Sequence, residues 1–147
     1  MSLSESLAAG PGWPLRAAFP GPLSGAKVLD LSRVLAGPYC CMVLAALGAD
    51  VLKVERPGLG DDTRRWGPPF HGEDATYFFG VNRDRRSLAL DLTSAPARAV
   101  VARLVEEADV VVENFLPKHL PALGLGDPRP ASACAWVMRG PRTSRTS

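Results

Sequence analysis

Five cations fall in or beside loops that follow predicted strands: Arg33, Arg56, Arg64, Arg65 and Lys118. A guanidinium is a planar fork of donors that matches phosphate oxygens, so this set suits a phosphorylated ligand if the fold gathers the loops on one rim. Solvated surface arginines are the alternative, and position favours ligand contact more than number does. Arg56, which closes the second strand, carries the strongest expectation; its alternative is an ion pair with Asp61 or Asp62. Those two carboxylates, with His71 nearby, suggest acid–base chemistry, yet adjacent acids in a Gly/Pro-rich loop more often form turns or cap helices. Asn114 and Phe115 follow a valine strand, where they could hydrogen-bond and stack on a ligand or simply end the strand.

These groups need strands that end together. "KVLDLSRVLAGPYCCMVLAALGADVLKVER" (27–56) reads as strand, loop, helix and strand, with Pro38 in the first helical turn and Gly48 as a stop signal. The loop "SRVLAGP" occupies the ligand position of an open α/β sheet but lacks the G-x-G-x-x-G spacing of a dinucleotide site. Residues 57–72, rich in Gly and Pro, are expected to form a long loop. A short apolar helix or turn, a charged connection and a strand from Ser87 to Leu92 follow. Ser94 is then a plausible N-cap, Pro96 suits the first turn, and Val100, Val101, Leu104 and Val105 form one face of a helix before the strand "DVVVEN". The expected fold is therefore α/β, a Rossmann-like parallel sheet built from βαβ units. Residues 1–21 read as a flexible lead-in and 127–147 as a disordered tail, with the valine strand left as an unpaired edge.

The chain of 147 residues is 46% hydrophobic, which fits one soluble domain with a real core. Its 17 Lys and Arg against 15 Asp and Glu leave a net charge of +2, too small for a nucleic-acid surface, so anion binding has to be local. No apolar run approaches the roughly 18 to 20 residues of a membrane span. The lead-in matches neither a secretory nor a transit peptide, which leaves cytoplasmic and mitochondrial placement open. Cys40, Cys41 and Cys134 show no disulfide framework or metal spacing. They are read as reduced thiols, Cys40 or Cys41 being a small buried apolar group.

Four segments, "PLSGAKVLDLSRVLAGP", "LGADVLKVERPGLGDDTRRWGPPF", "NRDRRSLALDL" and "ADVVVENFLP", occur in an order and spacing that closely resemble the amino-terminal part of class III coenzyme A transferases, the CaiB/BaiF family. The resemblance covers about 22–126, and "GDDTRRWGPPF" is most similar to members acting on succinyl-CoA and glutarate. It implies a CoA-binding α/β part, truncated relative to the family fold. Coenzyme A and its acyl thioesters would be substrates, with a carboxylic acid as acceptor and no covalently bound cofactor, metal, nucleic acid or membrane involved.

Carried over by residue, the resemblance implies CoA contacts from Leu35 and Ala36, from Arg56, from Leu90, Asp91, Leu92 and Thr93, and from Asn114, Phe115 and Leu116. Ala122 stands where some transferases have an arginine. In the family a downstream aspartate attacks the thioester to give a mixed anhydride, then an aspartyl-CoA thioester that the acceptor resolves. That aspartate lies beyond this chain, so no catalytic residue is expected within it, and the tail resembles a splice ending, a frameshift or a misplaced gene end. The alternative expectation is a non-catalytic product with weak or no CoA binding. Family members form interlocked homodimers through segments beyond this one, so this chain is not expected to assemble in that way.

Overall fold

The computed structural model describes residues 20–115, 121 and 135–137. Its main sheet is built of β1 (Lys27–Asp30), β2 (Asp50–Glu55), β5 (Arg86–Ala89), β6 (Val110–Val112) and β7 (Ala135–Val137). Their order across the sheet is β5-β2-β1-β6-β7, with every pairing parallel. Helix α1 (Ala36–Ala46) joins β1 to β2, and α3 (Ala95–Glu107) joins β5 to β6. The chain moves from β1 through β2 to β5 on one side, then returns to place β6 on the other side of β1. This reversal creates a switch point at the carboxyl ends of β1 and β6, where open sheets take ligands.

The period of two along the strands separates two apolar layers. Leu29, Leu31, Leu52, Val54 and Val111 pack with Val101, Leu104, Val105 and Ala108 on the α3 side. Val28, Val51 and Val112 pack with Cys41 and Ala49 on the α1 side. Ser94 caps α3 as expected, accepting a hydrogen bond from Ala97 N–H. Gly48 has φ +99, the left-handed conformation that ends α1 and turns the chain into β2. Cys41 is fully buried, and burial, reinforced by nearby Asp30, pushes its thiol pKa up. Among the described residues no helix is long and apolar enough to cross a membrane.

Three expectations change. The strand read as Ser87–Leu92 ends at Ala89, because Asp91 accepts from Thr93 N–H and Oγ1 and its carbonyl accepts Ser94 N–H, turning the chain. Segment 57–72 contains a 3₁₀ turn (Asp62–Arg65) and β3 (Phe70–His71), which pairs antiparallel with β4 (Asp74–Ala75) before α2 (Thr76–Val81). The third concerns the edge. β6 is not the last strand, since Ala135–Val137 of the segment expected to be disordered pairs with it in parallel. An open strand offers a row of backbone donors and acceptors, and a short β-prone stretch satisfies them. The rest of 127–147 and residues 1–19 of the 1–21 lead-in lie outside the described residues.

Candidate functional site

A cleft of about 310 Å³ opens at the carboxyl ends of the strands. Its lining includes Arg33 after β1, Lys53 to Arg56 at the end of β2, Leu90 to Thr93 after β5 and Phe115 after β6. Thus Arg56, Leu90, Asp91, Leu92, Thr93 and Phe115 come together at this cleft. Leu35 and Ala36 do not line it; they sit exposed at the start of α1. Leu116 and Lys118 lie outside the described residues.

Asn114 is bonded within the fold. Its Oδ1 accepts from Arg33 N–H at 3.0 Å and its Nδ2 donates to the Arg33 carbonyl at 2.7 Å. The amide therefore acts as a short extra strand rung that fixes the β1 loop to the end of β6. The loop itself turns sharply at Val34, whose φ of +76 is unusual for a β-branched residue. Val34 N–H donates to Asp61 Oδ1 at 3.3 Å. Only glycine fits at 37, where a Cβ would meet Ser32 Oγ at 2.2 Å.

Beneath the cleft lies a buried charge cluster that pattern reading missed. Lys53 is 1% exposed, and its Nζ donates to the Ser32 carbonyl at 2.8 Å. The same Nζ lies 3.1 Å from Asp61 Oδ2, an ion contact without hydrogen-bond alignment, and 3.5 Å from Asp30 Oδ2. Arg85 Nη1 reaches Asp30 Oδ2 at 2.5 Å, while its Nη2 donates to the carbonyls of Pro38 and Val81. Asp30 also accepts from Ser32 N–H and Oγ. The one available signal was a lysine inside the apolar run "VLKVE", where a buried parallel strand has no room for an unpaired charge.

Asp61 does cap the 3₁₀ turn, accepting from Thr63 N–H at 3.0 Å and Oγ1 at 2.8 Å. This capping acid is also buried, at 1% exposed. Burial alone would raise its pKa, but the Thr63 bonds and the Lys53 charge outweigh that and hold it below the ordinary Asp value. Glu55 behaves alike: burial opposes its charge, while Arg64, Ser87 and Asp61 N–H keep it ionised at lower pH than usual. Arg64 bonds Glu55 and Asp74 and covers the Phe78 ring at 3.7 Å, so it braces the loop. His71 packs edge-on against Phe79 in the hairpin.

Asp62 faces the opposite way. Its side chain is 33% exposed, and it pairs with Arg56 at 2.6 Å, Arg33 at 3.2 Å and Arg65 at 3.8 Å. The ion pair posed as the alternative for Arg56 therefore exists, and the same guanidinium also lines the cleft.

The human succinyl-CoA:glutarate CoA-transferase is 52% identical over 105 residues, matching 71% of this chain and 24% of its own length. A succinate–glutarate CoA-transferase of Agrobacterium fabrum is 52% identical over 110 residues, with coverages of 71% and 28%. The chain thus spans about a quarter of the length of these relatives. A crystal structure of a CaiB/BaiF family protein from Brucella suis superposes with a TM-score of 0.73 at 43% identity, covering 85% of this chain and 36% of that one. The model of CoA-transferase family III matches residues 23–133, and with this extent of match over the switch-point cleft and its strands, the chain belongs to that family.

Proposed function

We propose that this chain forms the coenzyme A-binding part of an acyl-CoA transferase that moves CoA from a donor such as succinyl-CoA to a carboxylate such as glutarate. The observation that carries this reading is the convergence of Arg33, Arg56, the 90–93 turn and Phe115 on one cleft at the switch point. Guanidiniums at its rim suit the phosphates, and apolar or planar groups such as Leu92 and Phe115 suit the adenine. The relatives named for succinyl-CoA and glutarate support the choice of substrates.

Binding and covalent chemistry are separable in this reading. Glu55 and Asp61, the buried acids of the cleft, are each committed to bonds within the fold, which supports a structural rather than a catalytic role for them. The acyl transfer itself falls to the downstream aspartate of a longer family member. Calorimetric titration of the 147-residue chain with CoA is expected to show binding that Arg56→Ala weakens by about 1.5 to 3 kcal/mol. Lysine at 56 recovers only part, since an ammonium lacks the planar fork. Absence of CoA binding overturns the proposal. With succinyl-CoA and glutarate the chain alone is expected to give no turnover above a heat-treated control, and turnover would overturn the separation of the two roles.

A further inference from the structure

We infer that Asp62 is a positioning residue, a single carboxylate that spaces the guanidiniums of Arg33 and Arg56 for a phosphate-bearing ligand; this rests on the coenzyme A reading above. Both arginines line the cleft and Asp62 does not. Its oxygens are divided between them: Oδ1 takes Arg56 Nη2 and Oδ2 takes Arg33 Nη1. Each contact engages one of the five donors of a guanidinium, which leaves the fork able to meet a ligand. With Arg65 near Oδ1 as well, one carboxylate stands among three cations, and the group keeps an excess of positive charge.

Both ends of this arrangement are anchored. Asp62 begins the 3₁₀ turn that buried Asp61 caps, and Asp61 is in turn fixed by Lys53 and Thr63. Arg33 is held at its main chain by the Asn114 amide and at its guanidinium by Asp62. Two long side chains that would otherwise repel and sample many rotamers are therefore ordered before a ligand arrives, which removes part of the ordering cost of binding. The opposite role is physically available: a carboxylate on the same arginines could compete with phosphate.

The two roles predict opposite signs, so CoA titration of Asp62→Asn in the 147-residue chain decides between them. Positioning predicts a dissociation constant raised about three- to tenfold, with a smaller effect in an Arg56→Gln background, a coupling that general loosening would not produce. Asp62→Glu, which retains the charge, should recover part of the affinity. An unchanged constant means a solvated pair and a lowered one means competition; either overturns the inference. If CoA binds and Arg56→Ala weakens it while Asp62→Asn does nothing, this inference alone falls. If the parent chain binds no CoA, the functional reading falls with it. Should Asp62→Asn not fold, the Arg33→Gln and Arg56→Gln cycle replaces it: non-additive losses support a shared spacer, and additive losses overturn it.

Discussion

Asp61 and Asp62 are neighbours in the chain, yet one carboxylate lies buried against Lys53, Thr63 and Val34 while the other stands at the rim among Arg33, Arg56 and Arg65. In the floor cluster, two acids and two bases, Asp30, Asp61, Lys53 and Arg85, meet with little water around them. At the rim cations outnumber the acid and water screens every pair. Charge in the floor ties β1, β2, the 3₁₀ turn and the helix ends together; charge at the rim is left with capacity for a ligand. One residue of sequence separates a buried structural carboxylate from one at the rim with the proposed ligand-positioning use.

The largest expected effect that tests this division is Lys53→Ala. Removing one member of a buried ion cluster strands its partners, so unfolding free energy should fall by about 3 to 5 kcal/mol in a urea titration. A loss below about 1 kcal/mol would show that the floor does not hold the fold. Next comes Arg56→Ala, for which the affinity loss given above should be accompanied by a stability change within about 0.5 kcal/mol. If stability and affinity fall together, floor and rim are one unit.

Acid provides a third, smaller contrast. The native pKa values of Asp61 and Glu55 lie below their unfolded values, so the stability they contribute is complete above the unfolded values, near pH 4, and is lost as pH falls through the native ones. Thermal midpoints should be flat from about pH 7 to 5 and decline below about 4. In Lys53→Ala the decline should begin at higher pH, because Asp61 loses one of the charges that keeps it ionised. The smallest effect belongs to Arg65→Ala. At 3.8 Å from Asp62 and with a side chain 58% exposed, Arg65 should change stability by less than about 0.5 kcal/mol, and its CoA dissociation constant by less than about threefold.

The local parts of this fold were legible in the chain. Apolar runs marked β1, β2 and β6, Gly48 and Ser94 marked helix ends, and the positions of Arg56 and Phe115 after strands placed both at the cleft. What could not be read is long-range. The partners of Lys53 come from residues 30, 32 and 61, which no periodicity links, so the sequence does not show what neutralises a lysine inside an apolar strand. The position of Leu35 and Ala36 outside the cleft lining has a related cause: the loop before them turns at Val34, whose N–H is held by Asp61. The bonding of Asn114 within the fold is likewise long-range, since its amide meets the Arg33 backbone 81 residues away. Segment 57–72 hid its order because Gly and Pro signal turns without showing that Arg64 cross-links them to Glu55 and Asp74.

The capture of Lys53 has a chemical consequence as well. An acyl thioester is an acylating reagent, and a cleft built to bind one exposes its own nucleophiles to it at high local concentration. An amine in that wall would be consumed by its ligand unless its nitrogen were occupied. Lys53 lines the cleft, but its Nζ is surrounded by the Ser32 carbonyl and the carboxylates of Asp30 and Asp61. Those oxygens enclose the nitrogen within the floor, so in the proposed coenzyme A reading the ion cluster that fastens the floor also holds this amine back from a bound thioester.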